Sequence, residues 1–401
     1  MRFWIPMATA LVAAAPACAQ EVSVKPLIEG RTRYEHVDQD GLAAASDAVT
    51  IRLRAGVEAT RGPWSVLGEA QGNLAVVDKY YDGLRGVADR PVIGDPENAA
   101  IYRAQIRYRT QPLTVTAGRQ RITLDDERFV GAAGFRNNGQ TYDAVRTELV
   151  PLKGVKVDVT YAWNVRTVWG SDGRGFRQRG VSGDNVFANI SAATPIGTLT
   201  GFAYLVDQDE AAVQGYRLSN QNYGARLAGS QPIAPKVKLN YQFSYARQSD
   251  YHRNPNDYKA DYWLADGALD IGNWTLNAGY EVLGAGNGTA LTSFQTPLGS
   301  VFKFQGWADK FTTNPPNGLH DIYVGGSHSW KKVGKIDLLS FQALYHRFQS
   351  DRLDQHYGDV VNLLATVKVK KTAISARYAR YKADRFATDT TKMWLQLDWT
   401  Y

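Results

Sequence analysis

From about residue 22 onward, apolar and polar residues alternate with a period of two, and long runs of helical period are scarce. In 237–248, "VKLNYQFSYARQ", Val237, Leu239, Tyr241, Phe243 and Tyr245 take one face and Lys238, Asn240, Gln242, Ser244 and Gln248 the other. Segments 155–164, 51–59 and 274–281 repeat the design: Val155 to Trp163 against Lys156 to Asn164, Ile51 to Ala59 against Arg52, Arg54 and Glu58, and Trp274 to Tyr280 against Thr275, Asn277 and Glu281. In 101–109 the same rule sets Tyr102, Ala104, Ile106 and Tyr108 against Arg103, Gln105, Arg107 and Arg109. Each segment therefore predicts a strand with one greasy and one wet face. Segments 198–206 and 336–347 are apolar on both faces and are assigned as strands only from their neighbours.

Connections alternate in length. Eight short ones, such as "TRGPW" (60–64), "TQPL" (110–113) and "DIGN" (270–273), mostly carry the Gly, Pro, Asn and Asp of tight turns. Nine longer polar stretches lie between them, near 37–48, 78–99, 120–139, 165–183, 208–220, 249–257, 284–319, 348–357 and 382–390. Together they join eighteen strands. An even number of antiparallel strands with alternating short turns and long loops is the plan of a transmembrane up-and-down β-barrel, all-β, with both termini on the periplasmic side. The apolar series then faces lipid and the charged series the lumen. Trp64, Trp274, Trp330, Trp399 and Tyr401 suit an interfacial girdle. A secreted sandwich or solenoid would also alternate, but no domain break and no repeat of 20–50 residues is visible.

The first residues, "MRFWIPMATALVAAAPACAQ", have a basic start, an apolar core and an Ala17-Cys18-Ala19 cleavage pattern. They read as a secretory signal peptide over 1–19, leaving 20–401 as one barrel domain. Removing them removes the single Cys, so neither a disulfide nor a Cys-held metal is expected. No later stretch is long and apolar enough for a membrane helix, so the exported chain spans a membrane only as a closed barrel, placing it in the bacterial outer membrane with lipid as a partner. The closing stretch "MWLQLDWTY" keeps the period: Met393, Leu395, Leu397, Trp399 and Tyr401 should face lipid. Lys392, Gln396 and Asp398 should face the lumen, with Trp394 an exception on that side. A terminal aromatic after such alternation resembles the signal read by the outer-membrane assembly machinery.

The net charge is +7, and the lumenal face holds the informative part of it. It carries Arg31, Arg33, Arg52, Arg54, Arg103, Arg107, Arg109, Arg226 and Arg377, with carboxylates such as Glu29, Glu58 and Glu281 among them. Arginines inside a low-dielectric wall focus field and grip carboxylate, sulfate or phosphate; the bland reading is that they pair with those carboxylates and brace the wall. Residues 118–147 are the second signal, dense in charge at Arg119, Arg121, Asp125, Asp126, Glu127, Arg128 and Arg136, with glycines for sharp bends. This loop is expected to fold inward as a constriction rather than remain a mobile external loop.

"GRQRITLDDERFVG" followed by "FRNNGQTYDAVR" resembles the signature region of the alginate-export porin family. The resemblance implies an eighteen-stranded, generally monomeric outer-membrane barrel that passes an anionic polysaccharide through an arginine-rich lumen narrowed by loops. It also implies that Arg119, Arg121, Arg128 and Arg136 lie near the narrow part. The expected function is thus a porin for passive passage or export of small or polymeric solutes, anionic saccharides above all. The alternatives are a barrel enzyme acting on envelope lipids and a non-conducting binding or adhesion barrel. Enzyme signals are weak: the six histidines are scattered, no hydrolase or zinc motif occurs, and His346 and Ser340 stand too far apart along one strand face. "DQDG" (38–41) and "DDE" (125–127) fall short of a calcium loop and read as solvated. No cofactor, metal or nucleic-acid partner is expected.

Overall fold

The computed structural model describes residues 21–401, and the signal peptide expected over 1–19 lies outside them. Strands follow in chain order: β1 (Ser23–Gln39), β2 (Ser46–Arg61), β3 (Trp64–Lys79), β4 (Asn98–Arg109), β5 (Leu113–Gln120), β6 (Thr141–Leu152), β7 (Val155–Arg166), β8 (Gly180–Thr194) and β9 (Gly197–Val206). They continue as β10 (Asn220–Ala234), β11 (Val237–Asp250), β12 (Lys259–Ile271), β13 (Trp274–Leu283), β14 (Leu319–Val333), β15 (Ile336–Gln349), β16 (His356–Val369), β17 (Thr372–Ala383) and β18 (Thr390–Thr400). Each pairs antiparallel with its chain neighbours, and β18 closes on β1 with Arg31 opposite Asp398. This is the eighteen-stranded barrel that the alternation predicts. Closure of β18 on β1 leaves no free edge at the seam, so backbone groups there pair with one another where no water can.

The two faces follow the register. Ile51, Leu53, Phe243, Leu276, Val324, Phe341 and Leu395 are exposed on the outside, as a bilayer requires. Trp64, Trp274, Trp330 and Trp399 form the girdle near the short turns. The opposite rim is marked differently. Tyr34, Tyr161, Tyr245 and Tyr345 each donate a hydroxyl hydrogen bond to an aspartate of the next strand, Asp47, Asp184, Asp261 and Asp359, at 2.8, 2.5, 2.8 and 2.7 Å. A ring in hydrocarbon with its hydroxyl on a carboxylate defines an interface between lipid and water.

One face assignment needs correction. Glu69 pairs with Arg103 but its neighbour Ala70 pairs with Ile101, so β4 carries an extra residue there. The bulge turns both Tyr102 and Arg103 inward and sends Ile101 out. Tyr102 therefore lies in the lumen, 5% exposed, beneath the Arg54 guanidinium at 3.7 Å. The first segment that was apolar on both faces, 198–206, finds its reason: Phe202 and Tyr204 of β9 point inward but are buried under loops that enter the lumen, as is Phe348 just beyond 336–347.

The β1–β18 seam has a steric requirement. Gly30 is the Cα partner of Trp399, and a Cβ at Gly30 would overlap the Trp399 indole, which lies across the bare backbone. The indole thereby covers backbone that glycine leaves unshielded. G30V should displace Trp399 and slow closure. The check is the fraction of refolded protein showing the heat-modifiable electrophoretic shift of a closed barrel; a wild-type fraction would refute the seam's dependence on this contact.

Candidate functional site: a lumen narrowed by two loops

β5 is the shortest strand, and the chain leaves its end into the lumen as loop L3 (121–140). Apolar residues seat the first half of L3: Ile122, Leu124 and Val130 are buried with Tyr142, Phe187 and Tyr204. Phe129 meets Phe202, Tyr204, Tyr262 and Phe294 at ring distances of 5.2–5.8 Å. Asp125 accepts hydrogen bonds from Asn189 and Tyr204, both at 2.9 Å, and Asp126 from Gln242. Arg128 donates to Glu281 of β13 at 2.7 Å, both side chains buried. L3 then crosses to the other wall. There the Phe135 carbonyl accepts from Arg31 at 2.8 Å and from Arg33, and the Asn137 carbonyl accepts from Arg54 at 3.1 Å.

A second inward loop, L7 (284–318), packs beside it. Ser300 donates to Glu127 at 2.6 Å, and Lys303 reaches the same carboxylate at 3.2 Å. Phe302 stacks on Phe135 with centroids 3.4 Å apart, and both meet Trp394 of β18 edge-on. Arg136 pairs with Asp309 at 2.5 Å, and Gln305 joins Tyr262 and Arg128 on Glu281. Burial works against the Arg136 charge, yet Asp309, Asp95 and Glu35 raise its pKa above the usual guanidinium value. Burial also opposes the Glu127 charge, but Ser300 and Lys303 hold that carboxyl below its usual value. Lys310 is pushed down to about 8 by burial, with Lys392 adding, so its charge is lost in mildly alkaline solution.

Beside this crossing the wall is basic. Arg52 lies within electrostatic reach of Arg31 and Arg54, Arg54 of Arg121, and Arg377 of Arg31. The five guanidiniums share Glu29, bonded by Arg52 at 3.0 Å and Arg54 at 2.8 Å, and Asp398, bonded by Arg31 at 2.8 Å. Among the described residues Arg121 has no hydrogen-bond partner. Arg377 has no carboxylate partner and lies over Phe135 and Trp307 at 5.2 and 5.6 Å. Buried Nε atoms of Arg52 and Arg377 are without acceptors. The opposite wall is acidic: Asp125, Asp126, Glu127, Asp266 and Glu281 gather there against Arg128, Arg226 and Lys303.

The remaining expected residues are placed as follows. Arg33 is buried between Asp95 and Gln396. Arg103 is held by Glu69 at 2.6 Å and Arg107 by Glu58 at 3.7 Å, while Arg109 ends β4. Arg226 stands across the lumen, bonded to Gln242 at 2.7 Å, apart from the basic cluster. Arg119 needs correction. It belongs to β5, not to the loop, and its Cα partner is the outward-facing Ala104, so it points away from the lumen and pairs with Asp143 at 2.7 Å. The acidic triplet 125–127 also differs from its solvated reading, since it is engaged by the wall and L7. Among the described residues no group of three or more His, Cys, Asp and Glu side chains is arranged to hold a metal. L7 carries a signal that the period of two does not use: its aromatics (Phe294, Phe302, Phe304, Trp307, Phe311) would stand in water on an external loop.

A closed eighteen-stranded barrel with a lipid-facing belt defines an integral outer-membrane protein of the porin architecture. The chain is similar in structure to the Pseudomonas aeruginosa protein OccK9 (OpdG), with TM-score 0.70, 14% identity, and 94% and 98% of the two chains covered. It is similar to OccK8 (OprE) of the same organism at TM-score 0.69 and 12% identity, covering 94% and 98%. OpdK, crystallised with vanillate, follows at TM-score 0.67 and 12% identity, with the same coverage. These are outer-membrane porins of the Occ/Opd group, and at such identity the likeness is one of fold. No protein-family model matches the chain, and no curated protein sequence does.

Proposed function

We propose that the barrel is a passive outer-membrane channel for small solutes bearing carboxylate or a similar anion, acidic sugars included. The observation that carries this reading is the cluster of Arg31, Arg52, Arg54, Arg121 and Arg377 beside the L3 crossing, five cations facing two carboxylates. Guanidiniums with spare donors in a low-dielectric wall attract anions and bind carboxylates in a bidentate manner. The vanillate in OpdK is itself a carboxylate, which supports the same chemistry. The resemblance of residues 118–147 to alginate exporters extends the reading to uronate chains. Two loops in the lumen favour monomers and short oligomers over long polymers.

The test uses the purified barrel in planar bilayers and liposomes. A salt gradient should give anion over cation selectivity, and galacturonate should permeate faster than galactose. Di- and tri-uronates, used next, measure how much of the alginate reading survives. Cation selectivity, or no conductance in any condition, would refute the proposal.

A further inference from the structure

Outside the lumen, the rim above β5 carries charge that the channel does not use. β4 pairs with β5 only from Ala104 downward, so its upper residues lack a neighbour on that side. L4 (167–179) closes over this gap, where the Ser171 amide donates to Asn98 at 2.9 Å. The outward-pointing Arg119 donates to the carbonyl of Ile101 at 3.2 Å, satisfying an acceptor that the missing ladder leaves unpaired. Its other nitrogens hold Asp143 at 2.7 and 2.9 Å.

Two more guanidiniums converge there. Arg166, at the end of β7, lies within electrostatic reach of Arg119, Asp143 and Arg179, and with Arg179 it lines one small cleft in the gap above β5 whose inner lining is the lumenal Gln71 and Tyr102. Neither Arg166 nor Arg179 has a carboxylate within 4 Å among the described residues. Gly180 keeps the space beside the Arg166 guanidinium open, since a Cβ would come within 3.3 Å of it. Below, on the outward face of β7, Tyr161 and Trp163 are 44% and 43% exposed with rings 6.4 Å apart. The nearby Asp184 is occupied by the Tyr161 hydroxyl. From the bilayer outward the order is thus Val159, Tyr161 and Trp163, then Arg166 with Arg119 and Arg179.

We propose that this rim binds an acylated, phosphorylated sugar lipid of the outer leaflet. Its acyl chains lie along the aromatic strip and its phosphate on Arg166 and Arg179. The vertical order of apolar surface and unpaired cations matches that of the amphiphile, and a planar guanidinium at the interface suits phosphate. A free anion would have no use for the aromatic strip.

Native mass spectrometry of the detergent-purified barrel tests this with lipid A, a bisphosphorylated acylated disaccharide, and its phosphate-free form. Wild-type protein should hold lipid A roughly 30-fold more tightly than the phosphate-free form, and R166Q/R179Q should lose that difference. R253Q, on another loop, should leave it intact. Equal binding of both lipids by wild-type protein would overturn the proposal, as would lipid A affinity unchanged in the double variant. So would inorganic phosphate binding as tightly as lipid A. The wild-type comparison decides even if the double variant fails to fold.

Discussion

R128A should unlock the lumen. Arg128 is the buried cation that pins L3 to β13, and its partner Glu281 also receives Tyr262 at 2.7 Å and Gln305 from L7. One carboxylate therefore joins the wall and both inward loops. Removing one partner of a buried pair typically costs about 3–5 kcal/mol, because the other charge is left without compensation. The barrel has its own ladder of strand hydrogen bonds, so the loss should fall on the docking of L3 and L7. Single-channel recordings should show higher mean conductance and frequent excursions between levels, and larger solutes should enter liposomes, with the heat-modifiable shift retained. R128M/E281Q, which removes both charges but keeps a side-chain oxygen to accept from Tyr262 and Gln305, should restore quieter recordings. If R128A conducts as wild type does, the pair is not what holds the loops.

R52Q/R121Q/R377Q should invert or abolish the proposed anion preference. These are the three arginines of the cluster with the weakest internal compensation. Arg52 shares Glu29 with Arg54, Arg377 meets only aromatic faces, and Arg121 has no bonded partner among the described residues. Their neutralisation leaves Arg31 and Arg54 against Glu29 and Asp398, a balanced set. The anion-to-cation permeability ratio should fall by roughly an order of magnitude in dilute salt. It should fall much less near 1 M, where the screening length shrinks from about 10 Å at 0.1 M to about 3 Å. A ratio that stays the same at low salt would show that the selectivity arises elsewhere. R103Q/R107Q, whose charges are held by Glu69 and Glu58, should have the smaller effect.

The wall was legible in the sequence because lipid outside and water inside impose a period of two, which most strands obey. The loops were only partly legible, for a physical reason. Where L3 and L7 enter the lumen, the inner face is no longer wet, so Phe202, Tyr204 and Phe348 stand at inward positions and blur the alternation. The alternation puts Tyr102 on the wrong face because a single bulged residue reverses the faces on its N-terminal side while Arg103 to Arg109 keep theirs, and nothing in "IYRAQIRYR" marks the bulge. Arg119 lies on the strand rather than the loop because β5 runs further than its charge density suggests, and the loop begins only after Gln120. The grouping of arginines from β1, β2, β17 and L3 depends on barrel closure, which no local pattern encodes.

The charge in the lumen is divided sideways as well as summed. Arginines stand on the β1–β2 and β17 side and carboxylates on the β8–β13 side, where L3 carries three of them across the pathway. Such a division makes the narrow region a transverse capacitor. In the proposed channel, a passing molecule with separated charge is turned before it is squeezed, and its dipole lines up across the slot. Isomers of equal size and equal net charge will then travel at different speeds according to how far apart their charged ends lie.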